Sequence, residues 1–186
     1  MRIISGSARG KRLRTFKANT IRPTSDRIRE ALFSILTSKI GSLEGVRVLD
    51  ICAGTGALGI EALSRGAQRG VFIDNNRQAA EIITHNCRVC EVEKCADIIK
   101  GGFETTLPRL DESGFELIFV DPPYNRGMLP EIITLISTLN LLAPGGIICA
   151  EESKSAHVPP DIGHYSCIDM RTYGDTCIYL FSAATA

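Results

Sequence analysis

Two stretches of the chain hold residue types that could do chemistry. The first is Gly54-Thr55-Gly56-Ala57-Leu58-Gly59, a G-x-G-x-x-G pattern whose glycines let backbone approach a ligand closely at a strand-to-helix turn. Asp50 precedes it, and Asp74 lies where a second strand would end; a carboxylate there can accept hydrogen bonds from ribose hydroxyls. The pattern points to a nucleoside. In the dinucleotide fingerprint the first glycine follows the strand at once, so that pyrophosphate rests on the helix N-terminus. Here Asp50-Ile51-Cys52-Ala53 intervenes. A carboxylate at that place repels pyrophosphate and suits a ligand bearing an ammonium or a sulfonium. S-adenosylmethionine bears both, with a ribose for Asp74; a nicotinamide cofactor is the alternative.

The second stretch is Asp121-Pro122-Pro123-Tyr124. Prolines forbid further ladder bonds, so the segment leaves its strand at the carboxyl edge, where ligands of open α/β sheets sit. Methylating an exocyclic base nitrogen is difficult because its lone pair is conjugated into the ring, and positive charge develops on it during transfer. The Asp121 carboxylate and the Pro122 carbonyl can accept its two hydrogens, and preorganised acceptors of this kind are worth about 3–4 kcal/mol. Tyr124 offers a face for a flipped base, with stacking worth about 1–3 kcal/mol. Guanine presents two adjacent donors, N1–H and its amino group, to one carboxylate, whereas adenine presents an acceptor beside its amino group. An ionised Asp121 favours guanine; a protonated or tilted one would serve adenine.

The elements that must position these groups alternate. A helix capped by Thr24 or Ser25 is expected through about Leu36, burying Ile28, Leu32, Ile35 and Leu36. Strands are expected at Val46–Asp50, Val71–Asp74, Asp97–Lys100, Phe115–Val120 and Ile147–Glu151, with helices near 56–65, 76–89 and 129–139. Two further strands, near Tyr165–Met170 and Thr176–Phe181, meet at Tyr173-Gly174-Asp175, a hairpin signal. Such βα repeats closed by a hairpin make a mostly parallel sheet with helices on both faces.

Charge is balanced at 21 basic and 21 acidic residues but unevenly placed. Residues 1–29 hold nine basic side chains against Asp26 alone, a net +8, and the remainder carries −8. A basic arm on an acidic body suggests a polyanion engaged from one end. The chain has 186 residues, enough for one domain with a complete core. It shows neither a long apolar run nor a secretory h-region, so a cytoplasmic protein is expected. Seven cysteines, an odd number, suggest reduced thiols. His85, Cys87, Cys90 and Cys95 have spacing reminiscent of a zinc site, yet no second pair follows at finger spacing and small buried thiols are the expectation, without metal.

Taken together, Arg22-Pro23-Thr24-Ser25-Asp26-Arg27-Ile28-Arg29-Glu30-Ala31-Leu32-Phe33, residues 48–67 (VLDICAGTGALGIEALSRGA), Val120 to Tyr124 and Tyr173-Gly174-Asp175-Thr176 resemble the RsmD-type bacterial methyltransferases over nearly the whole chain. The resemblance implies a Rossmann-like class I methyltransferase fold with a seven-stranded sheet. It implies an N-terminal β-hairpin arm at residues 1–21 before a methyltransferase domain at 22–186. It also implies S-adenosylmethionine as methyl donor and guanine N2 of 16S rRNA, presented in the small ribosomal subunit, as acceptor. By position, Asp50, Gly54, Gly56, Asp74 and Asn75 would surround the methionine and ribose parts of the donor. Gly102 and Phe103 would lie near its adenine, and Thr24 would close over it. Asp121, Pro122 and Tyr124 would be catalytic. Arg9, Lys11, Arg12, Arg22, Arg27, Arg29 and Arg126 would face RNA, and the protein would act as a monomer. Many class I enzymes carry an acid after the third strand where this chain has Gly101-Gly102-Phe103. DNA amino-methylation and a non-catalytic RNA-binding assembly role are the competing readings.

Overall fold

The computed structural model describes residues 1–16 and 26–183. The chain order is α1 (Asp26–Ile40), β1 (Arg47–Ile51), α2 (Ala57–Ser64), β2 (Arg69–Asp74), α3 (Arg77–Cys90), β3 (Ala96–Lys100), α4 (Phe103–Thr106), β4 (Phe115–Val120), α5 (Met128–Thr138), β5 (Leu142–Ser153), β6 (Asp161–Ile162), β7 (Tyr165–Tyr173) and β8 (Thr176–Ala183). Among the described residues, the eight strands join one sheet in the order β3-β2-β1-β4-β5-β8-β7-β6. The first five are parallel, and β8, β7 and β6 are antiparallel. The chain reverses its direction of travel across the sheet between β1 and β4, the switch point where open α/β sheets bind ligands.

Because side chains alternate along a strand, each strand feeds two cores. Val48, Phe72, Leu117, Phe119 and Cys149 face the core shared with α1, α2, α3 and the arm. Leu49, Ile51, Val71, Ile73, Ile118 and Val120 face the core shared with α4 and α5. The same parity puts Asp50, Asp74, Asp121 and Glu151 on the α2 side of the carboxyl edge.

Several sequence expectations change. The sheet has eight strands rather than seven, since Asp161–Ile162 pairs with Tyr165 and Ser166; two residues are too few to show a period. Strand β5 starts at Leu142, upstream of Pro144-Gly145-Gly146, because a register shift opposite Phe115 and Leu117 absorbs the prolyl break. Helix α1 runs one turn past Leu36 and buries Arg29 and Phe33 where Ile28 and Ile35 were expected, these two being only partly covered. In residues 1–16 Arg2 and Arg12 form an antiparallel bridge, with the Ile3 N–H donating to the Lys11 carbonyl at 3.0 Å and the Leu13 N–H to the Met1 carbonyl at 3.2 Å, so the arm turns back on itself where a hairpin is expected.

The arm is anchored by buried side chains. Ile3, Ala8 and Leu13 enter the core. The fully buried Glu61 of α2 accepts the Ile4 and Ser5 N–H groups at 2.8 and 3.0 Å. Ser64 accepts the Ala8 N–H at 3.0 Å and donates to the Ser5 carbonyl at 2.6 Å. All seven cysteines are free thiols; Cys87, Cys90, Cys149 and Cys177 are buried, while Cys95 is exposed. No helix among the described residues is long and apolar enough to cross a membrane.

Candidate active site

The glycine loop is built by its neighbours. Asp50 at the end of β1 is 2% exposed and its Oδ2 accepts the Gly59 N–H at 3.0 Å. The bond ties α2 to β1 beside the loop. Burial pushes the Asp50 carboxyl up to about 8, with the Asp74 charge adding to the rise and the Gly59 bond opposing it. Gly59 must lack a side chain: a Cβ there would meet the Phe72 ring at 2.3 Å and Asp50 Oδ2 at 3.0 Å. Gly54 and Gly56 take left-handed φ values of 55° and 74°, which cost glycine nothing. Around a Cβ at Gly54 only the Cys52 carbonyl comes within reach, at 4.0 Å, so a ligand can lie against this backbone.

Asp74 ends β2, half-buried. Its Oδ2 accepts the Gly54 N–H and its Oδ1 the Asn76 N–H, both at 2.8 Å. Asn76 in turn caps α3 by accepting the Gln78 N–H. Each carboxylate oxygen keeps acceptor capacity beyond one bond, so the aspartate fixes the loop and can still receive ribose hydroxyls. Asn75 beside it is exposed. Just past β3, the Gly101 N–H donates to the Asp74 carbonyl at 3.0 Å, which brings Gly102 to the same edge. Phe103 is 4% exposed and packs its ring in the α5-side core. Loop, ribose acid and open backbone together fit S-adenosylmethionine.

The Asp121-Pro122-Pro123-Tyr124 segment leaves β4 one strand away from β1, and the Asp121 N–H donates to the Ile51 carbonyl at 3.3 Å. Asp121 is half-buried, Pro122 buried and Pro123 exposed. The β4–β5 register pairs Val120 with Ala150, so the next residues, Asp121 and Glu151, are lateral neighbours. Burial, and then the charges of Glu151, Asp50 and Glu152, hold the Asp121 carboxyl well above the ordinary range. Tyr124 donates its hydroxyl to Glu151 and meets Thr176 Oγ1 at 3.0 Å. Its phenol is pushed up by burial and by that bond to Glu151. Glu152, also buried, accepts the Asn125 N–H at 3.1 Å and so ties the loop after Tyr124 to β5.

Sequence reasoning missed Glu151, Glu152 and the role of Thr176. The signal was two acids closing an apolar strand, and a Thr completing the Tyr173-Gly174-Asp175-Thr176 turn. The cations sort differently. Arg9, Arg12, Arg27 and Arg126 are exposed. Lys11 pairs with Glu91. Arg29, expected to face RNA, is fully buried: it donates to the Arg2 carbonyl and to Asp26 Oδ1, the latter at 2.7 Å, and burial lowers its guanidinium pKa. It ties α1 to the arm. Arg22 and Thr24 lie outside the described residues. Among the described residues no group of three His, Cys, Asp or Glu side chains could hold a metal ion.

A mostly parallel sheet with this switch point, a glycine loop after β1, an acid closing β2 and an acid-proline segment after β4 define a class I methyltransferase. The family model described as "Conserved hypothetical protein 95" matches residues 1–182. Over 183 residues the chain is 34% identical to "Putative rRNA methyltransferase YlbH" of Bacillus subtilis, covering 97% of this chain and 98% of that one. It is 31% identical to "Ribosomal RNA small subunit methyltransferase D" of Escherichia coli, covering 97% and 89%. The solved structure titled "Putative methyltransferase yhhF from Escherichia coli" superposes with a TM-score of 0.84 at 30% identity, over 98% of this chain and 97% of that one. The chain belongs to this family, the RsmD-type methyltransferases.

Proposed function

We propose that the protein transfers the methyl group of S-adenosylmethionine to the exocyclic N2 of a guanine in 16S rRNA, acting as a monomer on the small ribosomal subunit. The observation that carries the reading is that the Asp121 segment leaves the sheet beside the glycine loop, with β1 and β4 paired through Ile51 and Val120. The donor supplies a methyl on a cationic sulfur and leaves as a neutral thioether. Gly54 and Gly56 give it a bare backbone, and Asp74 with Asn75 receives its ribose. Asp121 and the Pro122 carbonyl accept the amino hydrogens, and Asp121 takes the proton that the nitrogen sheds on gaining the methyl. In its ionised form, which the positive sulfur of the bound donor favours, a carboxyl held above its ordinary range is the better proton acceptor. Tyr124, pinned by Glu151 and Thr176, stacks on the flipped base. Arg9, Lys11, Arg12, Arg22, Arg27 and Arg126 supply contacts to phosphate.

The raised Asp121 also favours a second reading, since a neutral carboxyl can donate to N1 of adenine. Product chemistry separates the two. Small subunits lacking the modification are incubated with methyl-labelled donor, and their RNA is digested to nucleosides. Label in N2-methylguanosine is expected, with Asp121→Ala lowering transfer by about 10²–10³ while RNA affinity is kept. Label in N6-methyladenosine, or no transfer at saturating donor, contradicts the proposal.

A further inference from the structure

Asn86 on α3 is fully buried and plays no part in the chemistry above. Its Oδ1 accepts the Arg14 N–H at 2.8 Å, and its Nδ2 donates to the Arg14 carbonyl at 3.1 Å and to the Thr55 carbonyl at 2.9 Å. One side-chain amide therefore closes the backbone of the basic arm onto the backbone of the glycine loop. Asparagine suits this place because it offers an acceptor and two donors on one short stem; aspartate lacks the donors and leucine lacks both. The contact is reinforced on either side. Thr55 Oγ1 lies 3.6 Å from the Met1 sulfur, and a Cβ at Gly56 would meet Ile83, one turn before Asn86, at 3.2 Å.

The bond to Thr55 falls between the two left-handed glycines. Holding its carbonyl fixes the peptide plane that joins Thr55 to Gly56, and Gly54 next to it donates to Asp74. At its other end the bridge grips Arg14, two residues from the exposed Arg12 and beside a groove of about 360 Å³ lined by Arg14, Thr15, Gln78, Glu81 and Ile82. A force on the arm thus reaches the ribose acid through one buried amide. The arm is held separately on α2 through Glu61 and Ser64, which do not touch the loop.

We propose that Asn86 is a positioning residue that couples RNA engagement by the arm to affinity for the methyl donor, an inference resting on the function proposed above. Linkage makes the coupling reciprocal: RNA tightens the donor as much as the donor tightens RNA. The test is equilibrium binding of labelled S-adenosylhomocysteine with and without saturating unmethylated small subunits. For the unaltered protein the subunits tighten binding roughly 10-fold. In Asn86→Ala that ratio falls to about 2 or less, and Asn86→Asp, which keeps the acceptor and loses both donors, does the same if the alanine variant fails to fold. Ser64→Ala removes arm contacts away from the loop; it lowers thermal stability yet keeps the ratio. An unaltered protein that binds S-adenosylhomocysteine, with a ratio unchanged in both Asn86 variants, overturns the coupling alone. An unaltered protein that binds none overturns the proposed function and the coupling with it.

Discussion

Asp50 and Asp121 stand on neighbouring strands and are both pushed upward, yet they serve different ends. Asp121 lies at the carboxyl edge, where the proposed function makes it the proton acceptor. Asp50 is buried and holds the Gly59 N–H, so its rise bears on stability. In the folded chain it holds a proton up to about pH 8, whereas an unfolded aspartate releases it near 3.8. Between those values the native state carries the extra proton, so this group's contribution to stability is present at low pH and is lost as pH rises from about 4 to about 8. Asp50→Asn keeps an oxygen for the Gly59 N–H and cannot titrate. Urea midpoints measured across that window should therefore fall less steeply for the variant; an unchanged slope would show that Asp50 is ionised when folded.

At the scale of elements, the contact between α2 and β2 sets the loop. The Gly59 backbone comes close enough to Phe72 that a methyl group has no room, and the ring is itself fully buried. Gly59→Ala is expected to cost about 1–3 kcal/mol of stability by overpacking. It should also weaken S-adenosylhomocysteine binding, because Asp50 and the loop must shift together. Denaturant unfolding and a ligand titration check the two halves. The elements that hold the loop were legible because their signals are local: Phe115–Val120 is a largely apolar run followed by Asp121 and two prolines, and residues 76–89 form a periodic segment. What was not legible depends on partners distant in sequence. The start of β5 at Leu142 needs Phe115 opposite it, and the burial of Arg29 needs the Arg2 carbonyl and Asp26 to receive its guanidinium. Charge alone marked Arg29 as a surface cation. Glu151 was read as a strand end, since nothing in a linear pattern places it beside Asp121 or under the Tyr124 hydroxyl.

For the whole molecule, the charge split is a division of labour: a basic arm docks on the same helices, α2 and α3, that frame the glycine loop. Arg9 and Arg12 remain exposed on that arm and cost little to replace. Arg9→Ala with Arg12→Ala should weaken binding to small subunits and reduce the salt dependence of log K by about 2 units of slope, roughly one per lost phosphate contact. Transfer at saturating subunits should be kept. A salt slope unchanged in filter-binding assays would remove these two side chains from the RNA face. The central claim is that the switch point of the sheet brings a methyl donor and the Asp121 segment face to face. A crystal structure with bound S-adenosylhomocysteine decides it: ribose hydroxyls on Asp74 and a sulfur opening toward Asp121 and Pro122 are expected. A sulfur turned away from that segment, or a ligand seated elsewhere on the molecule, would contradict it.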